Sequence, residues 1–475
     1  MKNKHLLVAA AVAAALGLTA CGGGGGGAGV TGATTTQGVI TGFGSVFVNG
    51  VEYNSNATNV TVNGVAEPND SKLEVGMVVT VKGNVDPSGK TGTAASITYA
   101  DDMEGVVTAN GISAGSSTGT LTVMGQIVNV NATTVFDGSA TGITTPDQIA
   151  VGNVVEVSGY ASSTGIVTAT RIEVKAAKQS GAEIEVKGTI SALDTTAKTF
   201  KLGALTVDYS GVAAVDLPTN GLADGAFVEV KSVTVFDGTA PLVASKVELE
   251  DNGVNGHDGT EGEDIKIDGL VTAGLTNNQF EINGRTIGVT SSTEYDNGTA
   301  ADLVTNAKAD VEAQYDANGN LVATSIEFAD SPDMELAGTV DAVDATAGTL
   351  TIMGDIIYVD NSTMMVDDSM THVRYFHLSN ISPADYVELA IYKDPTTGHL
   401  VASKLQREDG GSSTAQAMVS GVVTVNSNGT WTVAGVTVNI SGATAPAVMS
   451  GSTPVEVHGS YDNVAGVLNA TTIAP

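Results

Sequence analysis

The chain repeats itself, and that repetition limits its fold more than any other feature. A strand ending in a Val-Glu-Val-like triplet recurs as Val79-Thr80-Val81, Val155-Glu156-Val157, Val228-Glu229-Val230, Val311-Glu312-Ala313, Val387-Glu388-Leu389 and Val455-Glu456-Val457. The copies lie 68–83 residues apart. That spacing marks tandem structural units, each long enough for one small core and no more.

A second echo follows each triplet after a turn: Ala94-Ala95-Ser96-Ile97, Ala169-Thr170-Arg171-Ile172, Ala244-Ser245-Lys246-Val247, Ala323-Thr324-Ser325-Ile326, Ala402-Ser403-Lys404-Leu405 and Ala470-Thr471-Thr472-Ile473. Turn formers such as Asp316-Ala317-Asn318-Gly319-Asn320 separate the two, so each pair reads as a β-hairpin. Upstream, each copy opens with a short strand and a further hairpin, as in Gly105-Val106-Val107 and Leu121 through Val130. Val, Ile and Thr alternate there with polar residues, the period-2 pattern of a half-buried strand. The helix candidates are short turns at Pro146-Asp147-Gln148 and Ser382-Pro383-Ala384-Asp385.

Three strands, a short connection and two strands in about seventy residues predict an all-β protein. The expected architecture is a tandem array of six small five-stranded OB-like β-barrels, with a small two-sheet sandwich as the alternative. The units fall at 38–104, 105–184, 185–250, 265–334, 335–413 and 414–475, with an acidic, glycine-rich linker at 251–264. Glycine-rich joints predict beads on a string, each touching mainly its neighbours.

The units resemble the repeats of the domain of unknown function 5666, found in bacterial lipoproteins. The resemblance rests on the Gly-x-Val opening strand, the Gly-x-x-Val-Glu-Val-x-Gly strand and the Ala-Ser/Thr-x-Ile closing strand. No activity or functional residues are established for that family, so the resemblance implies organisation and carries no site across.

The N-terminus predicts an address. Lys2 and Lys4 precede thirteen apolar residues, Leu6 to Leu18, too short to span a bilayer and of signal-peptide length. Leu18-Thr19-Ala20-Cys21 resembles a lipobox, which implies a signal peptide at 1–20, cleavage before Cys21 and lipidation of Cys21. Gly22 follows rather than an aspartate, which favours the outer membrane, and 21–37 reads as a glycine-rich tether. The orientation, periplasmic or extracellular, stays open.

The net charge of −32 opposes nucleic acid and anionic headgroups as partners. Cys21 is the sole cysteine, so its lipidation leaves no thiol for disulfides, metal ligation or catalysis. There is no Gly-x-Ser-x-Gly elbow and no phosphate loop. The expectation is a non-catalytic envelope lipoprotein without cofactor, serving structural or protein-interaction roles through an unknown envelope protein or polymer. A ligand-binding module for an oligosaccharide or polymer is the alternative, and a calcium-stiffened array a third reading.

Four groups of residues are candidate sites. The acidic run from Asp251 fails as an EF-hand, with Gly262 where a bidentate Glu belongs, leaving weak calcium binding. His372 and His377 near Asp367 and Asp368, with Met364, Met365 and Met370, match no standard metal spacing, so no metal site is assigned. The fifth copy concentrates Tyr358, Tyr375, Phe376, Tyr386 and Tyr392, the tentative interaction residues, against the simpler reading of a better-filled core. The recurrent Glu156, Glu229, Glu312, Glu388 and Glu456, each flanked by apolar residues, are expected on the solvent face.

Overall fold

The computed structural model describes residues 34–474, apart from 57, 162–164, 220, 250–262, 284, 306, 329–332, 395 and 410–415. Cys21, the signal segment and almost all of the acidic linker lie outside the described residues. The opening strand begins at Thr34, inside the stretch read as tether, where three β-branched threonines succeed the glycines.

Barrel 2 shows the design. Its strands are Met103–Asn110, Gly119–Val123, Gln126–Val130, Val154–Ala161 and Val167–Ala176. The first three form an antiparallel meander, and the third pairs parallel with the fifth through Val128 and Val167. The fifth pairs antiparallel with the fourth, and the fourth returns to the first from Val154↔Val106 to Val157↔Met103, closing the ring. This order, 1-2-3-5-4-1, is that of an OB barrel. Barrels 1, 4 and 5 close identically. Barrel 3 splits its fifth strand into Leu242–Val243 and Lys246–Leu249, and barrel 6 splits its first into Gln416–Val422 and Thr424–Val425. The protein is therefore an all-β array of six small OB-like barrels.

Two local devices make each ring possible. A bulge in the first strand, between Val107 and Ala109 in barrel 2, lets one strand serve the fourth on one side and the second on the other. A second bulge falls between Ser158 and Gly159, where a Cβ would lie 2.3 Å from the Thr168 carbonyl oxygen. Only glycine fits there, which explains the glycine closing the Val-Glu-Val-x-Gly pattern.

The connection between third and fourth strands carries little helix. In barrel 2 the strand Val135–Asp137 lies parallel to the fifth strand and precedes a 3-10 turn, Pro146–Gln148. In barrel 5 the 3-10 turn is Leu378–Asn380, and 382–385 is a separate β-turn in which the Asp385 amide donates to the Ser382 carbonyl at 3.1 Å with Ala384 at φ 78°.

The beads-on-a-string expectation is wrong. The first half of each first strand leaves one edge open, and barrels pair through these edges. Thr34–Gln37 runs parallel to residues 264–267, joining barrels 1 and 4. Met103 and Glu104 pair with Val186 and Glu185, joining 2 and 3, and residues 335–337 pair with 418–420, joining 5 and 6. Sheets of 13, 12 and 12 strands result. Barrels 2 and 3 share one apolar core, as do 5 and 6, while the core of barrel 1 takes in Val135 and Tyr160 of barrel 2 and Met364 of barrel 5. Unpaired strand edges are costly to leave in water, and this pairing covers them.

Candidate functional site

Outward positions of barrels 2 and 5 face one another across a cleft of about 320 Å³. The period-2 alternation that buries Val387, Leu389 and Leu405 in barrel 5 puts Tyr386 and Glu388 of the fourth strand, with Gln406 and Glu408 of the fifth, on the opposite face. Glu335 and Asp368 complete that wall, and Ser117, Asn131, Thr144 and Thr145 of barrel 2 form the other.

A single lysine sits among these carboxylates. Lys404 Nζ donates to the Thr134 carbonyl oxygen of barrel 2 at 3.2 Å. Burial pushes its ammonium below the ordinary lysine value, against the pull of Glu388, Glu335 and Glu408. The carboxylates respond to the same enclosure. Burial raises Glu408 to about 8, reinforced by Glu388 and Asp368. Burial also raises Glu335 and Asp368, and carries the Tyr386 phenol to about 12 beside Glu388 and Glu408. The wall of barrel 5 thus holds more negative charge than Lys404 balances, with Glu408 retaining its proton near neutrality.

The five aromatic candidates do not converge. Tyr386 lines the cleft. Tyr358 stacks on His399 with ring centroids 4.1 Å apart, Tyr375 is 54 % exposed, and Tyr392 is half-buried on the fourth strand. Phe376 is 1 % exposed beneath the Arg407 guanidinium, 4.8 Å from its ring centre. For Phe376 the interaction reading is corrected to a core role, because its side chain fills the end of barrel 5.

The recurrent glutamates also divide. Glu312 is exposed and Glu388 and Glu456 are half-buried, but Glu156 and Glu229 are 7 % and 8 % exposed. They do point away from their own barrels, as period 2 requires. The solvent expected there is replaced by neighbouring barrels, a consequence of the edge pairing.

The long connection of barrel 5 is a clamp. Arg407 Nε and Nη2 donate to Asp367 Oδ1 and Oδ2 at 2.9 and 2.6 Å, and the Val373 amide donates to Oδ2 at 2.7 Å. Burial raises the Asp367 carboxyl, but Arg407, Ser369 and the Val373 amide outweigh it and hold the group well below the usual range. Both Asp367 oxygens are thereby engaged in holding the connection. Arg374 then reaches barrel 1, donating to the Leu73 carbonyl and Glu74 Oε1 at 2.7 and 2.9 Å, with its guanidinium 4.0 Å from the Phe43 ring centre. Sequence reasoning missed Lys404, Arg374 and Arg407. Only 20 lysines and arginines occur in 475 residues, and that scarcity was the signal to trace each one.

The model of a family described as Domain of unknown function (DUF5666) matches residues 37–98, 104–173, 187–248, 268–327 and 337–406. The sixth barrel lies outside these matches and has the same strand order. No curated protein matches the chain. Among solved structures, one described as "drosophila Unr CSD456" is similar over 46 % of this chain and 95 % of that one, with 14 % identity and a TM-score of 0.11.

Proposed function

The chain belongs to the family of the domain of unknown function DUF5666, and from that premise we propose a non-catalytic cell-envelope protein that recognises a positively charged segment of a partner. It is exported, held at the outer membrane by lipid on Cys21, and presents its barrels as one folded-back body. The observation that carries the reading is the cleft between barrels 2 and 5, where Glu335, Asp368, Glu388 and Glu408 face a single Lys404. A cationic side chain entering there meets uncompensated carboxylates already gathered by the fold. The overall charge of −32 steers such a partner towards the surface.

A second reading, an oligosaccharide in the same cleft, is favoured by the hydroxyls and amide of Ser117, Asn131, Thr144 and Thr145 and by a protonated Glu408 able to donate. Fluorescence anisotropy with a labelled tetralysine peptide and a labelled neutral glucan oligosaccharide separates the two. The first reading expects saturable peptide binding that weakens about tenfold or more in the Glu335→Gln/Glu388→Gln double variant. Equal peptide binding by that variant attributes attraction to general surface charge and ends the cleft reading. Saturable glucan binding alone selects the second. Cys21→Ser should release the protein from the membrane fraction, and continued retention refutes the lipid anchor.

A further inference from the structure

The seam between barrels 2 and 3 carries an arrangement that neither the cleft nor the fold requires. Edge pairing puts glutamates in register across four adjacent strands. Glu173 lies opposite Glu156, Glu156 opposite Glu104, and Glu104 opposite Glu185. Like charges directly opposite in a ladder destabilise it. Lysines answer only part of this row. Lys175 Nζ stands 3.0 Å from Glu156 Oε2 and 3.2 Å from Glu173, and Lys231 Nζ stands 2.9 Å from Glu185. Lys187 Nζ lies 3.7 Å from Glu229 and donates to the Asp101 carbonyl at 2.6 Å.

Asp101 and Asp102, from the connection between barrels 1 and 2, add to the same place. Asp101 is 1 % exposed. Its Oδ2 accepts from Asn63 at 3.3 Å, but its Oδ1 is buried without a hydrogen-bond donor. One oxygen from each of Asp101, Glu104 and Glu156 lies within 4.8 Å of the others. In all, seven carboxylates (Asp101, Asp102, Glu104, Glu156, Glu173, Glu185 and Glu229) meet four cationic side chains, Lys175, Lys187, Lys231 and, 3.9 Å from Glu173, Arg171.

We propose that Asp101, Glu104 and Glu156 bind one divalent cation of calcium's size and chemistry at the junction of barrels 1 and 2, beside the seam with barrel 3. The donors are all hard oxygens, which select calcium, magnesium or manganese over zinc or copper. All three oxygens lie within 4.8 Å of one another, a span that ion–oxygen distances of about 2.3–2.6 Å can bridge. Barrel 1 reaches the same ligands, since Tyr99 Oη donates to Glu156 Oε1 at 2.9 Å and Asn63 holds Asp101. A divalent ion offsets two of the negative charges that these cations leave. This site shares no residue with the cleft.

The test uses the full chain, stripped with chelator and dialysed. Terbium, a calcium surrogate excited through nearby tyrosines such as Tyr99, is titrated and then displaced with calcium, and thermal melting is recorded in parallel. The wild type should give a saturable terbium signal that calcium displaces, and calcium should raise its melting temperature. Asp101→Asn and Glu104→Gln should each weaken the calcium response about tenfold or more, while Glu312→Gln, on the exposed equivalent of Glu156, keeps it. Should a variant fold poorly, the wild-type titration still decides. A wild type indifferent to both ions overturns the proposal. So does an undiminished response in folded Asp101→Asn and Glu104→Gln, which would place calcium elsewhere on the chain.

Discussion

The 2–3 and 5–6 seams are built from the same strand pairing and carry opposite solutions to buried charge. At the 2–3 seam the row across the sheet is Glu173, Glu156, Glu104, Glu185 and Lys231. At the 5–6 seam the corresponding row is Gln406, Glu388, Ala337, Met418 and His458. Neutral residues flank the one carboxylate of the second row, whereas four carboxylates follow one another through the first. The first seam therefore packs tightly around unbalanced acid, and the second opens into the cleft. Backbone topology sets where an outward side chain goes. What that place can do depends on which barrel has folded back over it.

The largest effect expected from breaking this comparison lies in the long connection of barrel 5, where the buried Asp367 carboxylate is paired with Arg407. Asp367→Ala strands the Arg407 guanidinium and frees the connection that carries Arg374 to barrel 1. A loss of about 3–5 kcal/mol is expected, read from the denaturant midpoint. The related pair in barrel 2, Arg171 Nη2 to Asp137 at 2.7 Å, has a carboxylate with 31 % side-chain exposure. Asp137→Ala should therefore cost clearly less. Equal losses would show that the two connections bear the same load and that barrel 5 is not specialised.

A smaller effect follows from Glu408. Its carboxyl is raised to about 8 in the folded protein, while the unfolded chain releases its proton near the ordinary 4.5. Between those values the native state holds the extra proton, so stability falls as pH climbs from about 4.5 and levels off above about 8. Glu408→Gln removes that dependence. The variant should gain on the order of 1 to 2 kcal/mol over wild type at pH 9, allowing for solvent screening, and little at pH 5. Melting curves at both pH values check it, and parallel profiles refute the assignment.

Next in size, and on the other seam, Glu104→Gln should stabilise the chelated protein by roughly 0.5–1 kcal/mol, because it interrupts the carboxylate row. Glu335→Gln, flanked in register by Ala390 and Ser420, should gain less from lost repulsion. The ordering matters more than either value. If Glu335→Gln stabilises more, proximity in the ladder is not what makes the 2–3 seam costly.

The barrel itself was legible because its signals are local. Alternation of Val and Ile with Thr, paired turns and the glycine of the Val-Glu-Val-x-Gly pattern are written within each repeat. The seams were not, because they join Thr34 to Asp264 and Glu104 to Glu185, and nothing local records which edge meets which. The same gap explains the recurrent glutamates. Sequence correctly puts Glu156 and Glu229 outside their own barrels, yet cannot show another barrel covering them. For the aromatics, residue type marked barrel 5 but could not distinguish Phe376 inside it from Tyr386 at its surface. Lys404 holds the same place in its closing strand as Arg171 and Lys246, a correspondence visible in the repeat alignment whose meaning appears only at the cleft.

The smallest expected effect is the sharpest control on this view. Glu312 occupies the triplet position of Glu156, but its side chain is 52 % exposed and pairs only with Lys266 on the neighbouring strand. An exposed pair of that kind contributes about 0–1 kcal/mol and is screened by salt. Glu312→Gln should therefore shift stability by no more than about 0.5 kcal/mol in either direction and leave calcium and peptide responses at wild-type values. A loss of 2 kcal/mol or more would show that the triplet glutamate matters to every barrel for a reason inside the barrel. Near neutrality, beside a clear effect of Glu104→Gln, would place the difference in the covering neighbour. The repeated residue then has no repeated role, and position in the folded-back array decides which copies do chemistry.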